Sequence, residues 1–189
     1  VMTGSHIVCG WYTPDYARWA HQLGASLNVV GESHDLVQVE ARTGPWESAT
    51  LRKPAEVLRA MSRHPDRTII MLDVDFTALA PLAELANISG DIGLGVKAVR
   101  RWNGTTKIAL SSRVLVVRPN SSAPRFISIW NDYCLAPHYG DNDERLLAMA
   151  FGRAFGCAVS RLHPDVVAET LIHHVASNGL RRRNGPQRE

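Results

Sequence analysis

At 189 residues, 45% of them hydrophobic and 21% charged, the chain suffices for one well-packed domain and is too short for two comfortable ones. Its formal charge of +3 sits in residues 181–189, where four Arg stand against one Glu, so residues 1–180 balance to zero and no basic face for nucleic acid is expected. Three widely spaced cysteines, Cys9, Cys134 and Cys157, form neither a Cys-x-x-Cys pair nor a dense disulfide pattern, and no apolar run approaches the roughly 18 to 20 residues of a membrane span.

The first apolar run, His6 to Trp11, ends at Tyr12-Thr13-Pro14-Asp15, where Thr suits an N-cap and Pro the first helical position, so a strand is predicted to run into a helix. Tyr16, Trp19, Ala20, Leu23, Leu27 and Val30 recur at spacings of three and four, giving that helix one apolar face until Gly31 stops it. Leu36 to Val39 reads as a second strand. After a loop with Gly44-Pro45, a second helix from about Ala55 to Ser62 carries Val57, Leu58 and Met61. This alternation is the signature of an α/β domain.

Thr68 to Leu72 is a continuous apolar run of the kind buried on both faces of a parallel sheet, and it delivers Asp73-Val74-Asp75 at its carboxyl end, where open α/β sheets bind ligands. Asp91 to Val99, Lys107 to Leu110 and Val114 to Val117 then read as strands, interrupted by Arg100 to Thr106 and by Ser111-Ser112, so the sheet is expected to be mixed. Helices are predicted over Pro124 to Leu135 and Asp143 to Phe155. The last ordered piece is Thr170 to Val175, with His173 and His174. Residues 1–180 are read as one domain, 181–189 as a basic, disordered tail. With no signal pattern at the start and no disulfide framework, a cytoplasmic protein is expected.

Two carboxylates one residue apart, just beyond a buried strand, turn toward one point once the chain leaves the extended conformation. A hard divalent cation takes such oxygens and completes its shell with phosphate and water, so protein and diphosphate share the ion. In sugar transfer that ion stabilises the charge growing on the leaving nucleoside diphosphate. A solvated turn with two acids is the plain alternative.

Four segments carry a wider likeness: "VCGWYTPDYARWAHQLGASL"; "WESATLRKPAEVLRAM" leading to "IIMLDVDFT"; "YGDNDERLLAMAF"; and "TLIHHVASNG". In this order, over roughly residues 6–179, the chain resembles a GT-A-fold glycosyltransferase and is similar to the retaining bacterial galactosyltransferases and nucleotide-diphospho-sugar transferases. The resemblance implies a Rossmann-like mixed sheet flanked by helices. It also implies Mn2+ or Mg2+ as cofactor, a UDP-hexose donor, an acceptor it does not name, and transfer with retention.

Residue by residue, it puts Asp73 and Asp75 on the metal-binding pair, Asp75 the surer ligand, and His173 on the His that closes the metal site. On a strand His174 alternates to the opposite face, so one of the two reaches the ion; His173 is the choice. Tyr12 and Thr13 fall on the turn that holds base and ribose, although a core Tyr and a capping Thr account for them equally. Val74, Arg52 and Lys53 fall beside the nucleotide, with an ordinary solvated Lys as the other reading of Lys53. Asp91 falls where relatives contact the donor sugar, or simply starts a strand. Asp143 and Glu144 match an acidic pair under the sugar, Asp143 for positioning first and catalysis second, with Asp141 in reserve; acids in a first helical turn also serve the helix dipole. Where relatives follow the His with a phosphate-gripping Gly and Lys, this chain has Val175 to Gly179, with Arg181 and Arg182 beyond.

"IIMLDVDFT" also satisfies the haloacid-dehalogenase pattern, with Asp73 as nucleophile, Asp75 as acid/base and Thr77 in support, which predicts a phosphatase. Ser111 or Ser112 supplies a second motif there and Lys107 a poor third. Two strand-helix units ahead of Asp73 weigh against it, since such enzymes place the nucleophile on their first strand.

Overall fold

Parallel neighbouring strands need a crossover connection, most often a helix packed on one face of the sheet. The computed structural model, which describes residues 6–41, 46–100, 103–119, 122–137, 141–153 and 156–173 (the side chains of residues 46, 47 and 99 excepted), builds on that rule. Its first half runs β1 (His6–Tyr12), α1 (Ala17–Val29), β2 (His34–Gln38), α2 (Trp46–Thr50), α3 (Lys53–Arg63), β3 (Thr68–Leu72), β4 (Phe76–Ala78) and α4 (Ala83–Ala86). The second half runs β5 (Ile92–Arg100), β6 (Thr106–Val117), α5 (Ser122–Leu135), α6 (Asp143–Phe151), β7 (Val159–Arg161), α7 (Pro164–Thr170) and β8 (Leu171–His173).

Six strands form one sheet in the order β2-β1-β3-β6-β5-β7, and β4 pairs with β8 apart from it. β2, β1 and β3 are parallel; β6 runs antiparallel to β3 and β5, and β7 is parallel to β5. The fold is therefore α/β with a mixed sheet flanked by helices.

Side chains alternate along β3. Ile69 and Met71 join the core under α3, α5 and α6, around the fully buried Trp130 and Phe126. Ile70 and Leu72 join the opposite core, with Leu23 and Leu27 of α1 and with β4, α4 and Leu171. Both faces are covered, which is why this strand reads as an unbroken apolar run. Burying each such side chain is worth about 1.5–3 kcal/mol.

Several boundaries differ from expectation for local reasons. Thr13 takes the cap position with extended backbone, but its hydroxyl makes no capping bond. It donates instead to Asp15 Oδ1 at 2.5 Å, and a 3-10 turn, Pro14–Tyr16, precedes α1. Gly31, at φ +77°, follows the end of α1 as expected. Ser111-Ser112 is not a break: β6 is continuous, and its register against β5 slips between Leu94↔Leu115 and Gly95↔Ser111, which leaves Ser112 to Val114 without partners on β5. That bulge serves the site described below. α6 stops at Phe151 rather than 155. The short elements α2, α4, α7, β4 and β7 were not expected, because three to seven residues hold too little periodicity to read. His174, Val175, Arg181 and Arg182 lie outside the described residues, and among the described ones no helix is long and apolar enough to cross a membrane.

One ion cluster ties β2 to α3: Asp35 Oδ2 accepts from Arg63 Nε at 2.7 Å and lies 2.9 Å from His64 Nε2. Burial pulls the Asp35 carboxyl up, but the bonds from His64 and Arg63 outweigh it and hold the group below its ordinary value. A depressed folded value stabilises the fold above the unfolded carboxyl's pKa, about 3.8, and that contribution disappears as pH falls through the folded value. Asp35→Asn is thus expected to cost about 1–3 kcal/mol at pH 7 and progressively less below pH 4, read as converging urea midpoints of variant and wild type.

Candidate active site

The carboxyl ends of β1 and β3, the bulge of β6 and the start of α6 meet at one edge of the sheet. The pocket there is lined by Trp11, Tyr12, Thr13 and Asp15, by Thr50 and Lys53, and by Asp73, Val74, Asp75, Ser112, Arg113, Asn142, Asp143 and Glu144 among others. The predicted residues Tyr12, Thr13, Lys53, Asp73, Val74, Asp75, Asp143 and Glu144 all line it.

Lys53 is the hub. It is 5% exposed, so it is no solvated surface Lys. Its Nζ donates to Asp73 Oδ1 at 2.7 Å, to the Ser112 carbonyl at 3.2 Å and to Ser112 Oγ at 3.1 Å, and lies 3.3 Å from Asp143 Oδ2. Ser112 Oγ in turn donates to Asp143 Oδ2 at 2.5 Å. Burial alone would lower the Lys53 ammonium, but the Asp73 and Asp143 charges overcome it and raise it above its ordinary value. Asp143 is pushed upward by burial and, more strongly, downward by Lys53 and by bonds from Ser112 and Thr50, so it is held ionised. Asp73 moves the other way: burial and the charges of Asp75 and Asp143 raise it despite Lys53. Three chain segments, α3, the β3 end and α6, are tied together through one ammonium.

β4 and β8 complete the other side. Phe76 pairs with His173 across the two strands, and their rings meet edge-on at 5.0 Å between centroids. That pairing brings His173 Nε2 to 3.0 Å from Asp75 Oδ2, with Asp75 1% exposed. The approach is close but not aligned as a hydrogen bond, and among the described residues the buried Nε2 has no hydrogen-bond partner. An imidazole nitrogen and a carboxylate oxygen facing each other this way fit a shared divalent cation, each able to offer a lone pair. Asp73, two residues away, is turned toward Lys53, so Asp75 and His173 form the better-formed half of the predicted ligand set.

The tightest group of three potential ligands among the described residues lies elsewhere: Cys9, Asp35 and His64, within 4.8 Å of one another. It does not suit a cation. Arg63 already occupies the Asp35 carboxylate, and burial together with Asp35 pushes the Cys9 thiol up to about 12.

Three predicted residues do not line the pocket: His173 meets it only through Asp75, and Asp91 and Arg52 lie away from it. Asp91 precedes β5, whose Ile92 pairs with Val117, which in turn pairs with Ile69 at the amino end of β3. It therefore sits at the opposite edge of the sheet from Asp73, where its Oδ2 accepts from Ala158 N at 2.9 Å. Arg52 points away to Glu40, donating to its carbonyl at 3.3 Å. Asp141, the reserve acid, is buried against Arg145 at 3.0 Å. Among the lining residues with no role in the sugar-transfer reading of the sequence are Trp11, Ser112, Arg113 and Asn142. Asn142 was legible as an N-cap, since its Oδ1 accepts from Arg145 N at 2.9 Å. Nothing local marks the others, which arrive through the β6 bulge and the end of β1.

No family model and no curated protein matches the chain. Solved structures do. The chain is similar to a glycosyltransferase involved in the glycosylation of the major capsid of PBCV-1, with a TM-score of 0.66 and 13% identity over 94% of this chain and 96% of that one. It is also similar to the glycosyltransferase GlyE of Streptococcus pneumoniae TIGR4, with a TM-score of 0.55 and 16% identity over 85% of this chain and 46% of that one. The bifunctional glycosyltransferase WbbM gives a TM-score of 0.53 and 11% identity over 98% and 45% of the two chains. Identities this low establish the fold and no more. The chain has the GT-A-type fold of these glycosyltransferases, with its acidic pocket at the carboxyl edge of the mixed sheet.

Proposed function

We propose that this protein transfers a hexose from a nucleotide diphosphate sugar, UDP-linked by the resemblance, to an acceptor, with a divalent cation at Asp75, His173 and Asp73. The supporting observation is the approach of His173 to within 3.0 Å of Asp75, 98 residues away in sequence, where Asp75 lines the pocket beside Asp73 in a fold shared with glycosyltransferases. When bound, the cation would supply charge neutralisation for the departing diphosphate. Everything else falls to the chain. Tyr12 and Thr13 line the end assigned to base and ribose. Asp143, held ionised and fixed by Lys53, Ser112 and Thr50, is preorganised to accept hydrogen bonds from sugar hydroxyls. Glu144, anchored by Lys97 and by Ser111 Oγ at 3.2 Å, lines the pocket beside it. With no free nucleophile required, the leaving phosphate takes the acceptor proton and the product keeps its configuration.

The phosphatase alternative finds less support. β3 is the third strand in the chain, and Lys107, its third-motif Lys, pairs with Val99 far along the β5–β6 hairpin. Thermal melts with UDP, GDP, UDP-glucose and UDP-galactose, with and without Mn2+, test the proposal. At ligand a hundredfold above Kd, binding adds about 2.7 kcal/mol, a rise of roughly 5–10 °C for a domain of this size, confined to the metal-containing samples. Equal shifts in excess chelator would remove the metal. Hydrolysis of an aryl phosphate that vanishes in Asp73→Asn, without sugar-nucleotide binding, would favour the phosphatase.

A further inference from the structure

Resting on the nucleotide-sugar reading above, we infer that Arg113 is the cation that clasps the donor's diphosphate. The pocket lining holds five acids, Asp15, Asp73, Asp75, Asp143 and Glu144, against two cations, Lys53 and Arg113. A single divalent ion does not balance that lining, so a diphosphate entering it needs a further positive group. Lys53 does not provide one, because its ammonium is already committed to Asp73, Asp143 and Ser112. Arg113 is different. Among the described residues its guanidinium makes no hydrogen bond or ion pair, although it lines a pocket full of carboxylates.

Its place is set by backbone, not by a partner. The Arg113 carbonyl accepts from Asp73 N at 3.0 Å, which fixes the residue directly against the Asp-Val-Asp turn. The register slip that leaves Ser112 to Val114 unpaired with β5 puts Arg113 at the pocket while Ser112 reaches Lys53 and Asp143. A planar guanidinium bonds two phosphate oxygens at once, and a group held near the turn but engaged by no protein acid keeps its donors for a ligand.

The test compares UDP with UMP, and GDP with GMP, by calorimetry in Mn2+ on wild type, Arg113→Gln and Arg113→Lys, with ligand-free melting temperature as the folding control. In the wild type the diphosphate binds more tightly than the monophosphate. In Arg113→Gln that gap is expected to narrow by about tenfold or more, with monophosphate affinity and melting temperature nearly unchanged, while Arg113→Lys keeps part of the gap because it keeps the charge. A gap of the same size in Arg113→Gln overturns the assignment, as does an equal loss for mono- and diphosphate, which would place Arg113 at the base or in the packing. A wild type that binds none of the four nucleotides sinks the nucleotide-sugar reading itself, and the inference with it.

Discussion

Lys53→Met should lower the stability of the protein by about 3–5 kcal/mol, one of the two largest effects expected of any single substitution at this site. Removing one member of a buried ionic group leaves its partners without counter-charge in a medium that solvates them poorly. Here the Lys53, Asp73 and Asp143 side chains are only 7%, 20% and 6% exposed, so solvent screens them little. Asp73 and Asp143 would face each other across the space the ammonium leaves, and Ser112 would lose its donor. The measurement is urea unfolding of Lys53→Met, Asp143→Asn and the double variant. Because neutralising Asp143 removes part of the repulsion that Lys53→Met creates, the double variant should be markedly more stable than the sum of the single losses predicts. Strict additivity would mean that the three groups do not act as a unit. Nucleotide binding by the folded fraction of Lys53→Met should also fall, since Asp73 and Asp143 lose the group that fixes their orientation.

The second large effect concerns the Asp75 and His173 pair. Asp75→Asn and His173→Ala are each expected to weaken Mn2+-dependent UDP binding by at least about a hundredfold. Loss of a group that merely orients a metal ligand typically costs 10- to 100-fold, and a direct ligand should cost at least the upper end. A packed His gives a different signature. His173 meets Phe76 edge-on on the two-stranded β4–β8 ribbon, so a purely structural role predicts a lower melting temperature with the affinity of the surviving folded protein intact. Calorimetry and melting curves on the same samples separate the two. Unchanged affinity in His173→Ala would refute the metal role. An affinity loss in a parallel His174→Ala, with His173→Ala unaffected, would move that role to the neighbouring residue.

How legible the site was depends on how far apart in the chain its parts lie. The Thr68 to Leu72 strand was read to the residue because burial on both faces demands an unbroken apolar run and the Asp after it ends that run. α1 and α3 were read from their 3.6-residue stripe, and the acids of the Asp-Val-Asp turn from their position at a strand's carboxyl end. By contrast, the sequence does not separate Asp91 from Asp143. In sequence both are acids beside a predicted element; in space β5 begins at the far edge of the sheet and α6 at the near one. Strand direction in a mixed sheet is not a local property, so no pattern around Asp91 distinguishes the two cases.

Amphipathic spacing and composition determined on their own that this is one α/β domain with an acidic turn at a sheet edge, since burial of apolar faces acts over a few residues and is written in them. The tertiary structure alone decided the rest: that the Ser111-Ser112 segment is a bulge rather than a break, that Lys53 is buried as the counter-charge of two acids, that Arg113 lines the pocket with no side-chain partner among the described residues, and that β8 carries His173 to Asp75. Each of these depends on segments from 20 to 98 residues apart whose meeting is fixed by sheet order and register. Those are set by how all the strands pack together, and so by no segment of the sequence taken alone.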